Sequence, residues 1–295
     1  MADPRFSGSG VALVTPFDEQ GVNESALRAL VRFHHREGTD ALIVCGSTGE
    51  AATMSPEEQR RAIEVVVEEN AGKLPVIAGC GGSDTAQVAA LARGAKAAGA
   101  DALLLSAPPY NKPTQQGLIA HFRAVMDAAD LPAVIYNVPG RTSVNILPAT
   151  IAELAEDDRV IGVKEASGDI SQIAELARLL DGRAAIWSGN DDQIVPVLSL
   201  GGTGVISVLA NVAPADTSRM VHRYLEGDVV GARELQLRYL PLVSALFAEP
   251  NPIPVKTAVQ WLGFDVGPVR LPLTPPTAQV KARLEAALRA VGLQP

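Results

Sequence analysis

Lys164 sits inside an apolar run, Val160-Ile161-Gly162-Val163-Lys164-Glu165-Ala166, where a solvated ammonium has no obvious place. Such a run, bounded by polar residues, reads as a strand buried on both faces. Burial disfavours the charged amine and lowers its pKa. A lysine moved toward neutrality is a nucleophile for carbonyl carbon, and the product is a Schiff base. The chain has six lysines: Lys73, Lys96, Lys112, Lys164, Lys256 and Lys281. Lys73 and Lys112 fall in Gly/Pro-rich turns, and Lys96 and Lys281 take polar positions of helical patterns. Lys256, after Pro252 and Pro254, is the one rival nucleophile. A plain structural role also fits Lys164, as a strand-edge lysine paired with Glu165.

Other segments carry chemistry of their own. Gly46-Ser47-Thr48-Gly49-Glu50 can turn tightly and leave amide N–H groups and two hydroxyls pointing one way, a nest for a small anion. It lacks the glycine-lysine pairing of a nucleotide phosphate loop, so a carboxylate or carbonyl oxygen suits it better than a triphosphate. A simple tight turn is the alternative. Tyr136, in Tyr136-Asn137-Val138-Pro139-Gly140-Arg141-Thr142, could pass protons if its hydroxyl meets others, or could merely fill core. Arg141, beyond the Pro-Gly turn, could clamp a carboxylate or simply lie on the surface. Pro108-Pro109-Tyr110-Asn111-Lys112-Pro113 is a stiff loop holding one aromatic. The segments Ser188-Gly189-Asn190-Asp191-Asp192 and Gly201-Gly202-Thr203-Gly204 keep a phosphorylated substrate open as a rival.

These residues need elements to position them. Short apolar runs alternate with longer amphipathic ones, the βα signature. Strands are expected near Gly10–Thr15, Ala41–Cys45, Pro75–Gly79, Ala102–Leu105, Ala133–Asn137, Ile161–Lys164, Ala185–Ser188 and Val205–Val208. Eight strands in strict alternation favour an α/β fold closed into a (β/α)8 TIM barrel, with active residues at the C-terminal strand ends. Ser55-Pro56-Glu57-Glu58 is a capping box with proline at the first helical position, and Asn23-Glu24 and Ser83-Asp84 are two further helix starts. Residues 1–225 are expected to form the barrel. Residues 226–295, purely helical in pattern through Val229–Phe247, Pro254–Leu262 and Thr277–Ala290, are expected to pack on it as a C-terminal appendage.

A net charge of −8 with no basic run argues against nucleic-acid and anionic-membrane partners. No segment reaches the apolar length of a membrane span, and Met1-Ala2-Asp3-Pro4-Arg5 does not open a secretory signal, so a cytoplasmic protein is expected. Cys45 and Cys80 each close an apolar run and read as buried free thiols. His34, His35, His121 and His222 lack metal-ligand spacing, so no metal is expected.

Taken together, these motifs resemble those of the pyruvate-dependent class I aldolase family, which includes dihydrodipicolinate synthases, sialate lyases and keto-deoxygluconate aldolases. The likeness covers nearly the whole chain. It implies that Gly162-Val163-Lys164-Glu165 is the Schiff-base segment, that Ser47 and Thr48 hold the pyruvate carboxylate, and that Tyr136 relays protons. Ser47 stands where many synthases hold threonine, and the hydroxyl is kept. Gly189 and Ile206, the latter within Gly201–Ser207, correspond to stretches lining the pocket. Tyr110 matches a tyrosine that in this family reaches across a subunit interface, which implies at least a dimer and, by family habit, a homotetramer built as a dimer of dimers. The forms around Arg141 and in Glu249-Pro250-Asn251-Pro252-Ile253-Pro254-Val255-Lys256 resemble the synthase branch and make Lys256 structural. Arg141 would then receive the carboxylate of an aldehyde substrate. The implied reaction condenses pyruvate with L-aspartate 4-semialdehyde toward lysine and diaminopimelate, with no cofactor, because the lysine is itself the electron sink. A sugar-acid aldehyde in place of the semialdehyde is the alternative lyase, and a catalytically silent small-acid sensor is a further alternative. Pro56, Gln59, Ser83, Gln87 and Pro109 stand where lysine-inhibited relatives tend to present histidine, asparagine, glutamate and tyrosine, which implies insensitivity to lysine.

Overall fold

The computed structural model describes residues 6–294. Among these, eight parallel strands close into a barrel: β1 (Gly8–Ala12), β2 (Ala41–Val44), β3 (Val76–Cys80), β4 (Ala102–Ser106), β5 (Ala133–Asn137), β6 (Val160–Glu165), β7 (Ala185–Ser188) and β8 (Gly204–Ser207). Each pairs with its chain neighbours, and β8 returns to β1 from Gly8↔Gly204 to Val11↔Ser207. The closing seam needs glycine. A Cβ on Gly204 would lie 1.9 Å from the carbonyl oxygen of Gly8.

The strand runs are continuous apolar stretches because both faces are covered. One face meets the ring of helices α1 (Glu24–Arg36), α2 (Pro56–Asn70), α3 (Thr85–Ala97), α4 (Gln115–Ala129), α6 (Pro148–Leu154), α7 (Ile170–Leu180), α8 (Ile194–Ser199) and α9 (Pro214–Leu225), while the short α5 (Pro139–Thr142) lies at the mouth of the barrel. The other meets a separate cluster inside the barrel, where Phe6 stacks on Trp187 at 4.8 Å between ring centres and Ile43, Leu104 and Ile206 fill the layers above. The barrel is therefore a packed plug with its chemistry at one end.

Local signals act as expected at the helix starts. Ser55 Oγ accepts from Glu58 N–H (3.2 Å) while Glu58 reaches back to Ser55 N–H (2.9 Å), closing the capping box of α2. Asn23 and Asp84 cap α1 and α3. The first strand begins and ends earlier than expected. Leu13, Val14 and Thr15 are as buried as a strand, but Val14 N–H donates to the Asn211 side chain (3.1 Å) and Thr15 Oγ1 to the Gly49 carbonyl (2.6 Å). An apolar loop held by side-chain hydrogen bonds reads like a strand in sequence. A small hairpin, Phe17–Asp18 with Gly21–Val22, follows, and no sequence pattern announces it.

After α9 come α10 (Val229–Leu246), α11 (Ile253–Trp261) and α12 (Ala278–Ala290). They share the outer apolar core of the barrel. Gln236 on α10 accepts from Val195 N–H (3.1 Å) and donates to the Asp191 carbonyl (2.8 Å), which ties the helix to the loop after β7. The segment leading into α11 crosses the open end of the barrel and supplies part of the site. No described helix is long and apolar enough to cross a membrane.

Candidate active site

Lys164 projects into the barrel from the C-terminal end of β6. Its register partners are Tyr136 on β5 and Trp187 on β7. Strand alternation sends Glu165 to the opposite face, where its carboxylate accepts from Asn137 Nδ2 (3.1 and 3.2 Å) and Ser167 N–H (2.7 Å). The pairing of Lys164 with Glu165 is therefore ruled out by the pleat. Among the described residues no ion pair involves Lys164. Its Nζ lies 4.4 Å from the centre of the Tyr136 ring. Burial lowers its pKa to about 8, opposed by the Asp191 charge and aided by that of Arg141. About a tenth of the amine is then free at pH 7, against less than about a thousandth for an ordinary lysine. Asp191 is itself buried, accepting from Ser207 Oγ (2.5 Å), Val208 N–H (3.0 Å) and Leu209 N–H (2.8 Å), and burial pushes its carboxyl upward.

Above Lys164 lies a cavity of about 130 Å³, lined among others by Ser47, Thr48, Tyr136, Arg141, Gly189 and Asn251. Gly189 lets the amine stand there: a Cβ would come within 3.2 Å of Lys164 Cε and 2.7 Å of Ala166 Cβ. The turn after β2 is closed by Gly49 N–H to the Gly46 carbonyl (3.0 Å) and Glu50 N–H to the Ser47 carbonyl (3.2 Å). Among the described residues the N–H groups of Ser47 and Thr48 meet no protein acceptor, which leaves them free for a ligand. Thr48 Oγ1 accepts from Asn251 Nδ2 (2.9 Å), so its own proton is free to point elsewhere. At the rim Arg141 is exposed, and its Nη2 donates to the Asn251 carbonyl (2.9 Å).

Six of the eight residues singled out in sequence, Lys164, Tyr136, Ser47, Thr48, Arg141 and Gly189, line this one cavity. Ile206 is fully buried in the interior layer, and Val208 forms the wall at that strand instead. Two residues further along the chain brings the side chain up from the plug to the opening. Tyr110 stands apart on the loop after β4, 92% exposed with φ 73°. Burial pushes the Tyr136 hydroxyl up to about 12, and among the described residues it bonds to neither Ser47 nor Thr48. A relay within this chain is therefore not closed.

Three features escape a reading of the sequence: the contacts of Asn251, the buried carboxylate of Asp191, and Glu50 as the partner of Lys256. Glu50 ends the nest in the left-handed region (φ 56°), and its Oε1 accepts from Lys256 Nζ at 2.7 Å, both side chains almost wholly buried. Its Oε2 accepts from Arg270 N–H (2.8 Å). Lys256 therefore anchors the nest. Cys45 and Cys80 are free and buried, with both thiols raised in pKa by burial. Among the described residues no group of three or more histidine, cysteine, aspartate or glutamate side chains is arranged to hold a metal ion.

The dihydrodipicolinate synthetase family model matches residues 5–291. The chain is 54% identical to the 4-hydroxy-tetrahydrodipicolinate synthase of Thermoanaerobacter sp. (strain X514), over 98% of each chain. It is 50% identical to the enzyme of that name from Clostridium perfringens (strain ATCC 13124), over 98% of this chain and 99% of the relative. Among solved structures, the dihydrodipicolinate synthase of Thermotoga maritima superposes with a TM-score of 0.95 at 41% identity, covering 98% of this chain and 99% of that one. These matches span the barrel and the C-terminal helices alike, and with that the chain belongs to the dihydrodipicolinate synthetase family.

Proposed function

We propose that the protein is a Schiff-base lyase that condenses pyruvate with L-aspartate 4-semialdehyde to 4-hydroxy-tetrahydrodipicolinate, a step toward lysine and diaminopimelate. The observation that carries this reading is the buried, unpaired Lys164 amine, held near pKa 8 below an amide nest and an arginine. The neutral amine attacks the pyruvate ketone, and loss of water leaves an imine whose positive nitrogen withdraws electrons from the adjacent methyl group. A proton leaves that methyl carbon, giving an enamine. The enamine carbon attacks the aldehyde, whose oxygen takes up a proton, and the substrate amine then adds to the imine carbon, closing the ring and returning the lysine amine.

The Ser47 and Thr48 amides hold the pyruvate carboxylate during these steps. Tyr136, kept protonated by burial, supplies and recovers protons beside the lysine. Arg141 orients the aldehyde through its carboxylate, which favours the semialdehyde over a sugar acid. The lysine supplies the electron sink that a cofactor would otherwise provide. A silent sensor would have no need of a depressed lysine facing a tyrosine. The chain works as a homotetramer, a dimer of dimers, in which a second copy covers the exposed Tyr110 and carries it to the neighbouring site to complete the relay with Tyr136 and the hydroxyl of Ser47 or Thr48. The enzyme acts in the cytoplasm on small soluble substrates.

Borohydride added with pyruvate tests this reading. Reduction fixes the imine as a stable amine, and peptide mapping is expected to place the adduct on Lys164. An adduct on Lys256, or none, refutes the mechanism.

A further inference from the structure

Asn251 is where the two ends of the cavity meet. Its Nδ2 donates to Thr48 Oγ1 (2.9 Å) on the nest side, and its main-chain carbonyl accepts from Arg141 Nη2 (2.9 Å) on the rim side. The residue is 6% exposed and lines the cavity. Its remaining polar atom, Oδ1, is buried and has no hydrogen-bond donor among the described residues, and no other cavity-lining side chain is left in that condition. The segment cannot easily turn to relieve it. Ile253 N–H bonds to the Pro250 carbonyl (2.9 Å), Lys256 N–H to the Pro252 carbonyl (2.9 Å), and the Lys256 side chain is locked to Glu50.

A buried amide oxygen without a donor is unfavourable, and native sites rarely keep one unless something else supplies the hydrogen. An oxygen acceptor repels a carboxylate and welcomes an ammonium or hydroxyl. Its neighbour through the same residue is the Arg141 guanidinium, a carboxylate receptor. A cation for the carboxylate beside an acceptor for the group on the next carbon is the pattern that reads an α-amino acid.

We infer that Asn251 Oδ1 accepts a hydrogen bond from the α-ammonium group of the aldehyde substrate, so that Asn251 selects an α-amino aldehyde acid over its deaminated and α-hydroxy counterparts. This rests on the condensation proposed above and adds the residue that reads the amine. The carboxylate goes to Arg141, the ammonium to Asn251 Oδ1, and the aldehyde carbon is left facing the enamine on Lys164.

The test uses the full-length enzyme loaded with pyruvate and two variants. Asn251→Ala removes the acceptor, whereas Asn251→Asp keeps an acceptor and loses the donor to Thr48. The readout is the ratio between the KM for L-aspartate 4-semialdehyde and the inhibition constants of 4-oxobutanoate, which lacks the amine, and 2-hydroxy-4-oxobutanoate, which replaces it. Wild type and Asn251→Asp are expected to prefer the amine, and Asn251→Ala to lose that preference by about 10- to 100-fold, the range for a hydrogen bond to a charged group. Equal weakening toward all three aldehydes in Asn251→Ala makes the residue merely structural and overturns the assignment, as does undiminished preference. A wild type that accepts the hydroxy compound as well as the amine also overturns it. Should wild type consume no pyruvate with the semialdehyde, the condensation reading itself fails, a result separate from any change in preference.

Discussion

Two lysines of this chain are buried at the same end of the barrel, and they have opposite fates. Lys164 and Lys256 each stand over an aromatic ring, at 4.4 Å from Tyr136 and 4.2 Å from Phe17, and burial lowers the pKa of both. Lys256 has Glu50 at 2.7 Å, whose hydrogen bond and charge oppose that fall. Lys164 has no such partner among the described residues, and its amine opens onto a cavity. Burial alone does not make a nucleophile. The absence of a carboxylate in contact, together with room for a ligand, separates the lysine proposed to react from the one that holds the scaffold.

The comparison breaks most sharply if the lysines are replaced in turn. Lys164→Arg is expected to lower turnover on the order of 10³- to 10⁶-fold, since a guanidinium stays protonated and cannot attack a carbonyl. Steady-state assay of the folded variant checks it. Lys164→Met is expected to leave the protein folded and, at pH 7, to raise its stability by up to about 3 kcal/mol, because a pKa depressed from 10.5 to about 8 is a cost of the folded state. Lys256→Ala should do the reverse, costing about 3–5 kcal/mol by stranding Glu50 without its partner. Denaturant midpoints read both signs, and adding Glu50→Gln to Lys256→Met should recover most of the loss. A Lys256→Ala protein as stable as wild type would erase the distinction.

Arg141→Ala is expected to reduce kcat/KM for the semialdehyde roughly 30- to 150-fold while borohydride trapping of the pyruvate imine persists. Unchanged semialdehyde kinetics, with good use of a sugar-acid aldehyde, would hand the reaction to the other aldolase branch.

A smaller effect is expected with pH. Because the Lys164 pKa is depressed, the free amine grows as pH rises through about 8, so kcat/KM for pyruvate should climb about tenfold per unit below that value and level off above it. The sign for stability is the same: the cost of the buried charge is full below pH 8, shrinks as pH rises, and is gone above the unfolded value of 10.5. A profile flat from pH 6.5 to 9 would place the nucleophile elsewhere.

The smallest expected response is to added L-lysine. Gln59 Nε2 is already spent on the Ala51 carbonyl (2.9 Å), Ser83 Oγ on that of Pro109 (3.0 Å), and neither Pro56 nor Pro109 can donate. A second ammonium would find no carboxylate among these residues, so rates at subsaturating pyruvate should be unaffected by submillimolar lysine. A clear inhibition curve would sink this expectation.

What the sequence determined by itself was whatever local physics writes into contiguous residues. The strands Ala133–Asn137 and Ala185–Ser188 were legible to the residue and the helix Ala278–Ala290 to within its cap at Thr277, because continuous apolar runs and three-to-four spacing belong to the element itself. The capping box at Ser55, the glycine turn before Glu50 and the out-of-place charge of Lys164 were visible for the same reason. Only the tertiary structure decided who pairs with whom. Glu165 is Lys164's nearest carboxylate in sequence and points away from it, whereas Asp191, beyond the next helix and strand, is the acid whose field it feels. Glu50 finds Lys256 across 206 positions and Asn251 finds Thr48 across 203. Alternation along a strand sets which face a side chain takes. Barrel closure, a property of all the strands at once, sets what it meets there.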